Sequence, residues 1–428
     1  MEIYVVQEND TIESIAEKYQ VSEYLLLSLN QLENPNQLVI GQTIVILYPE
    51  ITHIVAEEDT LYEIADQYDI TIVELYQNNP QLSTRDIIFP GEPLVIKYQG
   101  DKLRSISVNG YAYPYISVEV LKKTLPYLTY LSIFTYGFTA DGGLIPVDDQ
   151  EIINLAYDYG VAPIMMLSPL DENGQFSNQR ASELLNNSEA IETLIQNVLG
   201  AMNEKGYLGV DLDFEYILPE DKDAYINFVD TLRKRLNTAG YTVNTDLAPK
   251  TSGEMTGLLY EAHDYGALGA ASNYVLLMTY EWGYTYGPPM AVSPINSVRR
   301  VLQYGVTEIE PYKIFMGMNN YGYDWPLPYE RGVTAASTIS NVNAVKQAWE
   351  YGVAIQYDSE SQSPFYTYTD ENNVEHIVWF EDARSVDARL RLIDEYDLNG
   401  AGYWNVMRFF PQNWIVLNSL YEVRKILP

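Results

Sequence analysis

Strand-like and helix-like segments alternate along the chain from Asp101 onward, and this alternation constrains the fold more than any other feature. Several of the strand-like segments are continuously apolar, which is typical of parallel strands buried on both faces. Helical segments such as AYINFVDTLRKRLNTAG fit between them. The eight strand-like segments are SISVNGYAYP, YLTYLSIFTYGF, VAPIMMLSPL, GYLGVDLDFEY, YTVNTDLAPK, YVLLMTYEWG, KIFMGMNNYGYDW and GAGYWNVM. Eight such units in about 328 residues predict the α/β class and a TIM (β/α)8 barrel over 101–428, with a doubly wound sheet as the alternative.

One segment near the end of the barrel does not fit the alternation. Residues Tyr357 to Asp382 are polar and aromatic and lie between the last two strand-like segments. We therefore expect a small insertion before the last strand.

The first hundred residues contain an internal repeat. The segment YVVQENDTIESIAEKYQVS (Tyr4–Ser22) aligns with HIVAEEDTLYEIADQYDIT (His53–Thr71). Farther along, LVIGQTIVIL aligns with IFPGEPLVIK. In each unit Asp-Thr predicts a helix start after a strand, and the spacing of Ile and Ala predicts an amphipathic helix. A second short helix ends near Asn30 or Asn79, and a strand preceded by glycine closes the unit.

These two βααβ units resemble the LysM domain, a binding module for N-acetylglucosamine polymers. The Asp-Thr helix start, the apolar helix face, the Asn at the second helix end and the closing Gly carry the resemblance. It implies one LysM domain at residues 1–48 and another at 52–98. An unrelated small α+β repeat is the alternative.

The segment GYLGVDLDFEY places three acids on one face of a predicted strand. Val210, Leu212 and Phe214 occupy one set of alternate positions, and Asp211, Asp213 and Glu215 occupy the other. If the apolar set faces the helices, the acids line the barrel interior, with Glu215 outermost at the strand's end, where TIM barrels place their chemistry. Buried carboxylates without partners are costly, so a purely structural role is disfavoured.

Two kinds of chemistry fit three crowded carboxylates. They could hold Mg²⁺ or Ca²⁺. However, no second acidic strand end of similar density is visible, so we expect no metal and no cofactor. Without a metal, the like charges raise one another's pKa, which would keep Glu215 protonated near neutrality as a general acid for cleaving a glycosidic bond. Asp213 lies beneath Glu215 and not opposite it, so the 2-acetamido group of an N-acetylated sugar is the expected nucleophile, oriented by Asp213.

The same residues resemble a known family of enzymes. VDLDFE resembles the D-x-x-D-x-D-x-E signature of glycoside hydrolase family 18, the chitinase-like enzymes, and LMTYEW resembles that family's M-x-Y-D strand end. The resemblance implies that Tyr280 hydrogen-bonds the acetamido carbonyl, with Met278 nearby. It also implies that Trp404 forms the floor of the −1 sugar subsite.

The sequence departs from the family pattern at two positions. Leu208 stands where the signature has its first Asp, which predicts a simpler network around Asp211. Glu281 stands where M-x-Y-D has Asp, and we expect it to contact the +1 or −1 sugar. Asn319 and Tyr321, near the end of the seventh strand-like segment, are further candidates for substrate binding.

Further segments narrow the resemblance to bacterial spore cortex-lytic glycosidases, which also carry tandem N-terminal LysM units. The matching segments are TYEWGYTYGPPMAVSPI, NYGYDW, WFEDARS and FPQNW. This resemblance implies a β-N-acetylglucosaminidase that acts on cortex peptidoglycan, located in the spore cortex or coat or at the cell wall. A chitinase of the same mechanism and a non-catalytic glycan-binding protein are the alternatives. The latter would predict loss of Glu215 or Asp213, and both are present.

Composition excludes several other classes of protein. The formal net charge of −34 would repel nucleic acid. There is no cysteine, which excludes disulfides and thiolate sites, and only three histidines are present. The sequence has no apolar run long enough for a membrane span, and its N-terminus shows no signal-peptide pattern. We expect a monomer that binds an N-acetylglucosamine-containing glycan, without nucleic acid or membrane partners.

Overall fold

The computed structural model describes residues 1–32, 34–83, 85, 87–171 and 173–427, and these begin with two βααβ units. In each unit two antiparallel strands flank two helices, as the repeat predicts. The first unit consists of β1 (Glu2–Val5), α1 (Ile12–Tyr19), α2 (Glu23–Asn30) and β2 (Thr43–Ile46). The second consists of β3 (Pro49–Ile54), α3 (Leu61–Gln67), α4 (Ile72–Asn78) and β4 (Pro93–Tyr98).

A buried asparagine connects the second helix of each unit to its closing strand. The Asn30 amide donates to the carbonyls of Leu26 and Val45 at 3.0 and 2.9 Å and accepts from the Val45 N–H at 2.8 Å. Asn79 makes the same three bonds in the second unit. These bonds pair backbone groups at the end of the helix and in the strand with one side chain, which explains why both repeats carry Asn there.

The barrel follows, and its elements alternate as the sequence predicts. They are β5 (Arg104–Ala112), α5 (Val118–Thr124), β6 (Tyr130–Phe138), β7 (Leu144–Ile145), α6 (Gln150–Asp158), β8 (Ala162–Leu167), α7 (Asn178–Leu185), α8 (Ser188–Lys205), β9 (Gly209–Leu212), α9 (Lys222–Thr238), β10 (Thr242–Leu247), α10 (Tyr265–Ala271), β11 (Tyr274–Leu277), α11 (Ile295–Glu308) and β12 (Ile314–Asn319). After the insertion come α13 (Ala383–Glu395), one more barrel strand (Gly400–Trp404), a helix (Pro411–Leu420) and a short strand (Tyr421–Val423).

Eight parallel strands close the barrel. Starting from β5, the order is β6, β8, β9, β10, β11, β12 and the Gly400–Trp404 strand, which pairs back with β5. Each of the eight strand-like segments supplies one of these strands. The TIM barrel prediction is therefore confirmed, and the doubly wound alternative is wrong.

The insertion is larger than the predicted Tyr357–Asp382 segment. It is a five-stranded antiparallel sheet with one helix. Its elements are β13 (Gly322–Pro326), β14 (Ser337–Ile339), α12 (Asn341–Glu350), β15 (Gln356–Asp358), β16 (Ser363–Thr369) and β17 (Glu375–Trp379), so that the last barrel strand is β18, its following helix α14 and the final strand β19. The segment KIFMGMNNYGYDW thus supplies two strands of different sheets. A Cβ on Gly322 would lie 2.2 Å from the Trp379 carbonyl oxygen, so only glycine allows this close crossing.

Both N-terminal units pack directly on the barrel. Gln412 of α14 exchanges hydrogen bonds with Thr43 of β2, at 2.8 Å to its hydroxyl and 2.6 Å to its carbonyl. Gln77 of α4 donates to the Pro126 carbonyl at 2.7 Å. Val45 belongs to the same apolar cluster as the barrel core. None of the helices in the described part of the chain is long and apolar enough to cross a membrane.

Candidate active site

The structure places the first of the three acids, Asp211, on the fourth barrel strand and the other two just beyond its end. Val210, Leu212 and Phe214 belong to the apolar cluster between barrel and helices. Asp211 and Asp213 are buried on the opposite side. One detail of the prediction is wrong: β9 ends at Leu212, so Asp213 and Glu215 lie in the loop that follows, at the carboxyl end of the barrel.

Asp211 anchors a polar network inside the barrel. Its Oδ2 accepts hydrogen bonds from the Tyr111 hydroxyl at 2.9 Å and from the Ser132 hydroxyl at 3.0 Å. Tyr111 also lies 3.0 Å from Oδ1 of Asp246, which comes from the neighbouring strand β10. Because Leu208 stands where the signature has an Asp, we expected a simpler hydrogen-bond network around Asp211. The structure adds a second carboxyl group to this network, that of Asp246 on β10. Burial raises the pKa of Asp211, and the hydrogen bonds from Tyr111 and Ser132 partly offset that effect.

Above Asp211, two carboxyl groups hold protons more tightly than usual. Burial, the charge of Glu215 and the charge of Asp211 together raise the pKa of Asp213 well above its ordinary value. Burial, followed by the charge of Glu281, raises the pKa of Glu215 to about 7. Glu215 is partly exposed, so it can reach a bound ligand while still carrying a proton near neutral pH.

Tyr280 and Glu281 follow strand β11 and form another side of the site. Tyr280 is buried. A Cβ on Gly317 would lie 2.8 Å from the Tyr280 ring and 2.6 Å from the Leu277 carbonyl oxygen, so glycine at 317 makes room for the tyrosine. Glu281 has a left-handed backbone, with φ of 66°. Its carboxylate accepts hydrogen bonds from the hydroxyls of Tyr321 and Tyr323.

An aromatic wall completes the pocket. Trp404, the last residue of β18, is partly buried, with its ring centroid 5.2 Å from that of Phe134 and 6.1 Å from those of Tyr111 and Tyr113. Tyr113 stacks on Tyr115, which is 75% exposed, so the wall continues to the surface. Met278 contacts the two apolar clusters to which Trp404 also belongs.

Asn319 occupies a supporting position at the end of β12. Its amide donates to the Tyr321 carbonyl at 2.8 Å and to Glu381 at 3.0 Å, while its buried Oδ1 has no protein partner. Glu381 also forms a buried ion pair with Arg389. Asn319 therefore holds the backbone of Tyr321, whose hydroxyl in turn holds Glu281.

Sequence reasoning missed Asp246, Tyr111 and Ser132. The signal for Asp246 is the alternation in TVNTDL, which puts Thr242, Asn244 and Asp246 on one face of β10. No single strand indicates that this face meets Asp211. Among the described residues, no group of three or more His, Asp or Glu side chains is arranged to hold a metal ion.

Comparison with known proteins places this geometry in a family. The family model described as glycosyl hydrolases family 18 matches residues 173–408, which is more than half of the chain. The chain belongs to glycosyl hydrolases family 18. The LysM domain model matches residues 4–47 and 53–97, so the resemblance of the two N-terminal units is confirmed.

Several relatives are similar over nearly the whole length. The chain is 39% identical over 431 residues to the cortical fragment-lytic enzyme of Bacillus subtilis (strain 168), covering 99% of each chain. It is 32% identical to the putative sporulation-specific glycosylase YdhD of the same organism, covering 100% of each. The crystal structure of the spore cortex-lytic enzyme SleL from Bacillus megaterium QM B1551 superposes with a TM-score of 0.84, at 38% identity and 99% coverage of both chains.

Proposed function

We propose that this protein is a retaining, substrate-assisted β-N-acetylglucosaminidase that hydrolyses spore cortex peptidoglycan. One observation carries the chemistry. Glu215 is a partly exposed carboxyl group at the barrel mouth whose pKa is raised to about 7, and it sits beside the buried Asp213. A protonated carboxylic acid at this place can protonate the leaving oxygen of a glycosidic bond.

The nucleophile is the acetamido group of the substrate. Asp213 precedes Glu215 by two residues in one loop, so the two carboxyl groups do not flank a sugar from opposite sides. Glu281 is the other carboxylate that influences Glu215, and both of its oxygens accept tyrosine hydrogen bonds, which lowers their nucleophilicity. Asp213 orients the acetamido N–H, and Tyr280 donates to the acetamido carbonyl as it attacks the anomeric carbon.

The remaining candidates position the sugar. Trp404 offers a ring face on which the −1 sugar stacks, with Met278 beside it. Glu281, held by Tyr321 and indirectly by Asn319, receives sugar hydroxyls. Asp211 lies beneath Asp213 and holds a negative charge at that position.

The LysM domains attach the enzyme to the glycan, and the protein acts as a monomer at the spore cortex or coat. The cortical fragment-lytic enzyme and SleL, which match almost the whole chain, support cortex as the substrate. The reaction needs no metal or cofactor, because each step uses side chains of this chain or the substrate's own acetamido group.

Side-by-side digestion of purified cortex and chitin tests this function. Mass analysis of the products should show new N-acetylglucosamine reducing ends from cortex, released faster than from chitin, and none with Glu215→Gln. Faster digestion of chitin would instead support a chitinase. Glycan binding without any hydrolysis by the wild type would support a non-catalytic binding protein.

A further inference from the structure

Asp246 is a buried carboxyl group to which the proposed mechanism gives no role. It belongs to β10, which pairs in parallel with β9, the strand of Asp211. The residue is 3% exposed. Carboxyl groups are rarely buried so deeply without a partner that satisfies them.

The side chains of Asp246 and Asp211 are in hydrogen-bonding contact, and this contact requires a proton between them. The Tyr111 hydroxyl lies 2.9 Å from an oxygen of Asp211 and 3.0 Å from an oxygen of Asp246. A phenol has one hydrogen, so it can donate to only one of the two groups. If both carboxyl groups were ionised, two buried anions would face each other across one donor, which is strongly unfavourable.

The proton belongs on Asp246 because Asp211 has more donors. Asp211 accepts from Tyr111 and also from Ser132 at 3.0 Å. Among the hydrogen bonds of the described residues, the donors to Asp246 are limited to Tyr111. Extra donors stabilise the ionised form, so Asp211 carries the charge and Asp246 carries the hydrogen.

We propose that Asp246 is a positioning residue that remains a neutral carboxylic acid and donates a hydrogen bond to Asp211, so that Asp211 stays an anion beneath Asp213 during turnover. This inference rests on the proposed function. A fixed anion there has two effects. It favours a proton on Asp213 before substrate binds, and it stabilises the positive charge that develops on the oxazolinium intermediate.

The groups that face Asp246 agree with this assignment. They are Asp211 and Asp213 from the β9 side, Tyr111 from β5, Tyr280 after β11 and Tyr225 from α9. All are carboxyl or phenol groups, and none brings a positive charge that would favour ionisation. Burial, then the charges of Asp211 and Asp213, raise the pKa of Asp246 well above its ordinary value.

Two substitutions in the full chain test the proposal through the pH dependence of turnover. Asp246→Leu removes the donor, so the anion of Asp211 loses a hydrogen bond. We expect kcat on soluble cortex fragments to fall about tenfold to a hundredfold with little change in KM. Protonation of Asp211 becomes easier, so the acid limb of the kcat profile moves about one unit to higher pH. Asp246→Asn keeps a hydrogen-bond donor in a side chain of similar shape. Its kcat should therefore be close to that of the wild type, and the acid limb of its kcat profile should lie at the wild-type pH.

Infrared spectroscopy gives a second measurement that does not depend on activity. Near neutral pH, the spectrum of the wild type minus that of Asp246→Asn should show the carbonyl band of one protonated carboxylic acid, while the bands of Asp213 and Glu215 are common to both proteins and cancel. A difference spectrum without such a band would overturn the proposal. So would Asp246→Leu with wild-type kcat and acid limb, or Asp246→Asn as impaired as Asp246→Leu.

The wild type and Glu215→Gln are measured in parallel, so that failure of the proposed function can be recognised separately. If the wild type does not hydrolyse cortex, or if Glu215→Gln turns over normally, the proposed function is wrong. The infrared band still decides whether Asp246 carries the proton.

Discussion

Replacing Glu215 with Gln should change the pH dependence of stability as well as catalysis. The pKa of Glu215 is about 7 in the folded protein, against an ordinary value of 4.5. Between these values the folded protein keeps a proton that the unfolded chain has released. The stability associated with Glu215 is therefore fully present below pH 4.5 and is lost as the pH rises through 7. At 1.36 kcal/mol per pH unit, the loss reaches about 3 kcal/mol above pH 7.

Glutamine does not titrate, so the variant does not lose this stability as the pH rises. Urea unfolding at a series of pH values from 4 to 8 should show the free energy of unfolding of Glu215→Gln rising relative to wild type, by about 3 kcal/mol across the series. Glu220→Gln, at an exposed position in the short 3-10 helix before α9, is the matched control and should run parallel to wild type. Hydrolysis by Glu215→Gln should fall by several orders of magnitude, and wild-type turnover should decline above pH 7 as Glu215 loses its proton.

Parallel pH curves for Glu215→Gln and wild type would show that the pKa of Glu215 is not raised in the folded protein. Near-normal turnover by the variant would remove Glu215 from the role of acid.

Four further predictions concern the site and the domains. Asp213→Asn and Tyr280→Phe should each lower kcat by about 10²-fold or more, because each weakens the fixed polarity around the acetamido group; wild-type rates would contradict both roles. EDTA should leave activity intact, whereas a strong loss restored by Mg²⁺ or Ca²⁺ would revive a metal site. Asn30→Ala should destabilise the first LysM domain by about 2 kcal/mol in thermal or urea unfolding, because it removes four buried hydrogen bonds, one of them from Gln412 of α14, whereas the exposed Asn36→Ala should have little effect. Removing residues 1–98 should leave a folded barrel that melts at a lower temperature, since the LysM units cover part of its apolar core. The truncated protein should cut soluble fragments at a near-normal rate but should pellet poorly with insoluble sacculi.

The sequence predicted those parts of the fold that depend on local pattern. The eight barrel strands and the two βααβ units follow from apolar runs, caps and spacing, and the face of the three acids follows from the alternation around Leu212. The start of the insertion could not be found in this way. KIFMGMNNYGYDW is apolar and aromatic throughout, so nothing in its periodicity marks the passage to a second sheet at Gly322.

The same limit applies to the site. Two motifs, each at the end of a single strand, contain Glu215, Asp213 and Tyr280, so these residues can be recognised from local sequence. Asp246 is a single acid on another strand, and its importance comes from the distance to Tyr111 and Asp211, which depends on the pairing of β9 with β10 and on closure of the barrel.

One comparison of rates distinguishes a nucleophile supplied by the substrate from one supplied by the protein. Soluble cortex fragments are assayed before and after chemical removal of the acetyl groups from their glucosamine residues, with released reducing ends as the measure. The N-acetylated fragments should be cleaved with retention of the β configuration, whereas the deacetylated fragments should be nearly inert although they still bind. Comparable cleavage of both would show that the acetamido group is not the nucleophile, and a glycosyl ester trapped on Asp213 or Glu281 would identify a protein carboxylate in its place.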